Sequence, residues 1–135
     1  MASFIGRTVM LMLLMLLLTI TCDAKTHVRI INDIGGGLDL TVHCKSADDD
    51  IGVKVLRPQE WFEFSFKPAW IIHTDYYCSF KFPAGSVQWL DVYDEKRDLN
   101  VCMDCWWSIK SSSDGPCRFN WINKKYDYCL PWNKD

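Results

Sequence analysis

The sequence predicts an all-β fold, an antiparallel β-sandwich of about eight short strands stabilised by disulfides. Three observations carry that prediction. Beyond residue 24 the apolar residues recur with period two in short runs, turn residues separate those runs, and no stretch shows a convincing helical period. The chain also holds seven cysteines, six of them (Cys44, Cys78, Cys102, Cys105, Cys117 and Cys129) outside its N-terminal segment.

That segment reads as an address. Arg7 supplies a positive start, residues 9–18 (VMLMLLMLLL) are unbroken apolar, and Cys22 and Ala24 place small residues three and one positions before Lys25. This is the layout of a secretory signal peptide. A membrane-spanning helix needs about 20 apolar residues, and this run stops at Thr19 and Asp23. Residues 1–24 are therefore predicted to be a cleaved leader. Residues 25–135 are predicted to form one secreted, extracellular domain, without membrane insertion after cleavage and with no room for a second domain.

The strands follow in order. In "HVRIIN", Val28 and Ile30 face one way and His27 and Arg29 the other; in "LDLTVHC", Leu38, Leu40, Val42 and Cys44 alternate with polar residues. Gly35, Gly36 and Gly37 between them read as a hairpin loop. "IGVKVLR" sets Ile51, Val53 and Val55 against Lys54, and after the "RPQE" turn "WFEFSFK" puts Phe62, Phe64 and Phe66 on one face that needs a core. "IIHTDYYCSFKF" brings Ile72, Tyr76, Cys78, Phe80 and Phe82 into phase. "VQWLDVY" has a Val87, Trp89, Tyr93 face and a Leu90, Val92 face, both partly covered. "CWWSIK" and "CRFNWI" form a last pair around "SSSDGP", and the tail beyond shows no clear period.

Charge and motif spacing argue against several functions. Arg7 and Asp23 cancel, so the domain keeps the chain's net charge of −2, without the basic excess that phosphate neutralisation demands of a nucleic-acid binder. Asp48, Asp49 and Asp50 lack the alternating ligand spacing of an EF-hand and read as a solvated turn. Cys102 and Cys105 form C-M-D-C, but no second ligand pair completes a zinc site. A redox motif expects a βαβ context, so both read as structural disulfide cysteines. His27, His43 and His73 fall on polar faces and read as solvent-exposed. No "GxSxG" nucleophile element occurs. Catalytic, cofactor-binding and metal-binding residues are all predicted to be absent, and the chain is predicted not to be an enzyme. Seven tryptophans leave open core packing, or stacking on sugars and protein partners.

The ordered motifs "LTVHCKSADDDIG", "FEFSFKP", "YYCSFKF", "LDVYDEKRD", "CMDCWW" and "DGPC" resemble the plant self-incompatibility S-protein family, the S-protein homologues, over roughly residues 28–119. The resemblance implies a small secreted β-sandwich that works by being recognised at a cell surface, in rejection of self pollen or related cell–cell signalling. Carried over by position, Cys44, Cys78, Cys105 with Trp107, and Cys117 match the family's cysteine motifs. Cys102 recurs in homologues with the C-x-x-C form, and Cys129 is less general. On this reading the partner is a cell-surface receptor protein, and specificity lies in loops on a rigid scaffold. The candidate receptor-facing residues are Asp94, Glu95, Lys96, Arg97 and Asp98 in one loop and Ser111, Ser112, Ser113, Asp114 and Gly115 in another, with the triple-glycine loop also distinctive. Mutual charge pairing inside "DEKRD" is an equal alternative for the first. The expected disulfides are Cys44–Cys117, Cys78–Cys105 and Cys102–Cys129. A secreted carbohydrate- or protease-binding module is the competing function.

Overall fold

The computed structural model describes residues 2–22, 24–69 and 73–134. Trp70 and Ile72, the latter assigned to a strand face above, lie outside the described residues. Helix α1 (Ala2–Cys22) covers the predicted leader and exposes large apolar side chains such as Phe4, Met10 and Met12. Among the described residues no helix is long and apolar enough to cross a membrane.

Nine strands make the body: β1 (Thr26–Asn32), β2 (Leu40–Lys45), β3 (Asp50–Leu56), β4 (Trp61–Phe66), β5 (Asp75–Lys81), β6 (Val87–Asp94), β7 (Asp104–Ile109), β8 (Pro116–Asn120) and β9 (Lys125–Cys129). A one-turn helix, α2 (Glu95–Asp98), follows β6. The strands form one sheet in the order β4-β1-β7-β8-β9 and another in the order β3-β2-β5-β6. The all-β sandwich is as predicted, with two differences. The period-free tail contains β9, and β1 pairs with β7 in parallel, His27 opposite Asp104 and Asn32 opposite Ile109.

Alternation placed the core correctly in β1, β2 and β5, except that Leu38, read in phase with Leu40, lies before β2 and is 43% exposed. Val28, Ile30, Leu40, Val42, Cys44, Cys78 and Phe80 are fully buried, and Tyr76 and Phe82 nearly so. Phe62, Phe64 and Phe66 pack against this core from β4, with Phe66 4.6 Å from Tyr76 and 4.8 Å from Tyr93 between ring centroids. Rings at such distances add about 0.5–1.5 kcal/mol per pair beyond their buried area.

Three expectations fail for identifiable reasons. Gly35, Gly36 and Gly37 do not close a hairpin: all three have positive φ, and the loop carries the chain from one sheet to the other. In β3, Gly52 takes φ +87° beside a register shift at Cys44/Lys45, which L side chains rarely adopt. Val53 and Val55 therefore pair with His43 and Thr41 and point outward, 60% and 61% exposed. In β6 a register shift opposite Tyr76/Tyr77 inserts Val92 between two paired positions. Val92 and Tyr93 are consequently both buried, although strict alternation assigned them to opposite faces.

The disulfides are Cys44–Cys78, Cys102–Cys105 and Cys117–Cys129, replacing the expected Cys44–Cys117, Cys78–Cys105 and Cys102–Cys129. Strand register explains the change. Cys44 stands opposite Cys78 on β2 and β5, and Cys117 opposite Cys129 on β8 and β9. The C-M-D-C pair bridges to itself.

Candidate functional site

Strand directions sort the connections into two ends. The upper end holds residues 33–39, 57–60, 82–86 and 110–115; the lower end holds 46–49, 67–69, 73–74, 95–103 and 121–124. The two candidate loops thus lie at opposite ends, and the fold does not bring them together.

At the upper end the wholly buried Asn32 organises the chain. Its Nδ2 donates to the carbonyls of Leu38 and Leu56, both at 2.9 Å, and its Oδ1 accepts from the Ile34 amide at 3.1 Å. Two inter-sheet connections are thereby fixed to one side chain. The "SSSDG" loop folds on itself through Ser111 Oγ, 3.0 Å from Ser113 Oγ and donating to Asp114 at 2.9 Å. Trp132 Nε1 donates to the Ser112 carbonyl at 2.9 Å while the indole packs on Phe80. Ser113 and Asp114 are exposed and Gly115 is buried. At Gly115 an added Cβ would stand 3.1 Å from the Leu130 carbonyl. Gly115 is thus part of the packing and does not face a partner.

The lower end is built on charge. Asp94 caps α2, its side chain accepting from the Lys96 amide at 3.0 Å. Asp98, wholly buried, accepts from Arg97 Nε at 2.8 Å, Arg97 Nη2 at 2.7 Å, the Asp94 amide at 2.9 Å and Arg118 Nη1. Arg97 also donates to the Asp91 carbonyl at 2.7 Å. Burial works against the Arg97 charge, but the hydrogen bonds and field of Asp98 more than offset it, so its guanidinium is held above its ordinary value. Both guanidiniums lie over the buried Trp107 ring, at 5.5 and 5.7 Å. Glu95, its side chain 12% exposed, accepts from His73 Nδ1 at 2.8 Å and from the Thr74 amide at 3.2 Å. Of the five candidates in "DEKRD" only Lys96 is exposed. Asp98 is an internal brace, because a carboxylate taken from water must be matched by cations and hydrogen bonds.

Beside exposed polar groups such as Asp48, Asp49, Lys96 and Lys124, the lower end exposes apolar side chains that were missed in the sequence. Leu99, Val101 and Met103 follow α2, and Ile122, 91% exposed, stands on the β8–β9 turn beside Trp121. Their signal was visible as apolar residues inside turn segments, where a core role has no period to support it. Asp48 and Asp49 form the predicted turn, their amides bonded to Ser46 Oγ. Asp50 opens β3 and binds His43 Nε2 at 2.7 Å. His27 and His73 lie against Glu63 and Glu95, so all three histidines face a carboxylate.

The tryptophans divide. Trp107 is core. On the outer face of the five-stranded sheet, Arg29 lies 3.8 Å from the Trp61 ring and 4.1 Å from the Trp106 ring, and it also meets Glu63 at 3.3 Å. Trp106 then contacts Trp121 and Phe119 at 4.8 and 5.8 Å. The cation occupies one ring face of Trp61 and of Trp106, while Trp61 and Trp89 remain 52% and 41% exposed.

A braced two-sheet sandwich with in-register disulfides, presenting short loops at both ends, defines a disulfide-bonded β-sandwich display scaffold. The model for plant self-incompatibility protein S1 matches residues 27–132, and the chain belongs to that family. It is 44% identical over 116 residues to S-protein homolog 2 of Arabidopsis thaliana, spanning 82% of this chain and 70% of that one. It is 41% identical over 110 residues to S-protein homolog 3 of the same plant, spanning 78% and 71%. A solved structure described as a self-incompatibility protein homologue, from a family of small, highly stable, secreted plant proteins, shares the fold. Its TM-score is 0.56 at 17% identity, covering 82% of this chain and 96% of that one.

Proposed function

We propose that the chain is exported, loses residues 1–24, and acts outside the cell as a recognition ligand for a receptor protein, in self-pollen rejection or related cell–cell signalling. One observation carries the reading: two separate connections, residues 99–103 and 121–124, present exposed Leu99, Val101, Met103 and Ile122 at one end of the sandwich. The brace of Asp98 with Arg97 and Arg118 sits directly beneath. Exposed apolar groups on a preorganised base are what a protein partner buries at small entropic cost. The upper loop, with Ser113 and Asp114, is the weaker contact surface because its exposed groups are small and hydrated.

The test is binding of the labelled, oxidised protein to intact pollen and to vegetative cells. Saturable binding that is lost in V101S/I122S and kept in S113A/D114A supports the reading and its location. Loss in the upper variant alone would move the surface to the other end. Absence of saturable binding to any cell, with retention on a polysaccharide column, would replace the ligand reading by a carbohydrate-binding module.

A further inference from the structure

Between the same two lower connections lies a cleft of about 300 Å³, at the small end of the range for ligand pockets. Its floor is cationic. Arg97 and Arg118 both line it, and both direct donors to the one carboxylate of Asp98. Asp98 Oδ1 accepts from Arg97 and Arg118, and Oδ2 from Arg97 and the Asp94 amide, so its acceptor positions are filled. Asp94, which accepts from the Lys96 amide at 3.0 Å, keeps its charge and bears on Arg97 as well, so what the cleft offers a guest is the unused donors of Arg118. Arg118 is 5% exposed, and among the described residues Nη1 is its one hydrogen-bonded nitrogen. The Tyr128 ring, 4.5 Å from the guanidinium carbon, stabilises the cation without neutralising it.

The other walls are a hydrocarbon surface with one amide. Val101, Trp121 and Ile122 line the mouth. Asn120 lines it as well, with Oδ1 engaged by the Ile122 and Asn123 amides, which leaves Nδ2 as a donor. A guanidinium with unused donors, a spare amide donor and apolar walls together suit one kind of guest.

We propose that this cleft binds a small monocarboxylate carried on an aromatic or branched apolar body, the carboxylate meeting Arg118 and Asn120 and the body lying against Trp121 and Ile122. The site is independent of the receptor reading and stands or falls without it.

The probe is 3-phenylpropionate, with 3-phenylpropanol as its uncharged counterpart, followed by nitrogen-15 NMR of the oxidised protein purified from the medium of expressing cells. The acid is expected to shift the Trp121 indole and Arg118 resonances saturably, and the alcohol to leave them unmoved. Asn120→Asp keeps the oxygen that caps the turn and replaces the donor with an anion. It should weaken binding about tenfold or more while thermal stability and the spectrum elsewhere stay unchanged. Equal binding of acid and alcohol, unaltered binding in N120D, or no saturable shift up to about 10 mM acid would each overturn the proposal.

Discussion

The two ends of the sandwich are each anchored by one wholly buried polar side chain, and the anchors differ in kind. Asn32 holds the upper end with a neutral amide and three hydrogen bonds to backbone. Asp98 holds the lower end with a charge that two guanidiniums must match. A neutral anchor leaves unsatisfied amides and carbonyls when removed, whereas a charged one leaves buried cations. The covalent ties do not follow that division: Cys44–Cys78, joining β2 and β5 toward the lower loops, closes 34 residues, Cys117–Cys129 at the upper end closes 12, and Cys102–Cys105 at the lower end closes 3.

The sharpest break of this comparison is Asp98→Ala, expected to destabilise by about 3–5 kcal/mol in denaturant unfolding of the oxidised protein. Adding R97M and R118M should recover part of that loss, because the orphaned cations go with the carboxylate. Next comes C117S/C129S, expected to cost about 3 kcal/mol from loop closure. Asn32→Ala follows at about 2 kcal/mol, the order expected for leaving buried backbone groups unsatisfied. C102S/C105S should cost about 1.5 kcal/mol; a value at or above that of C117S/C129S would contradict an origin in loop closure.

The smallest effect is one of pH. Hydrogen bonding from His43 first, and from the Gly52 amide second, holds the Asp50 carboxyl below its ordinary 3.8. A depressed acid contributes stability above its unfolded-state value and loses it as pH falls through the lower folded value. Melting temperatures measured downward from about pH 5 should therefore decline slightly more steeply for the native protein than for D50N. An identical decline would mean that the exposed His43–Asp50 pair contributes nothing to folding.

The sequence was most legible where a strand keeps phase over its whole length, as in β1, β2 and β5, because burial then follows period two. It failed where one residue breaks phase. Gly52 in β3 and Val92 in β6 each leave the local pattern apolar while changing which residues reach the core. The disulfides were misjudged because register decides them, and register between β2 and β5 or β8 and β9 depends on turns and on other strands. In "DEKRD" the mutual charge pairing weighed against a receptor-facing role does form, between Arg97 and Asp98, but the second counter-charge, Arg118, comes from a distant strand and could not be read from the run. The exposed residues Val101 and Ile122 carried no period at all, and only their convergence at one end gives them meaning.

The parallel seam between β1 and β7 also sets an order of events. β1 is an interior strand of its sheet, and one of its edges stays open until β7, far along the chain, arrives to pair His27 with Asp104. Contacts so distant in sequence make folding slow, and an open interior edge is an invitation to pair with another chain. As the chain is made, its first third therefore waits, unpaired on one side, for the last third to emerge.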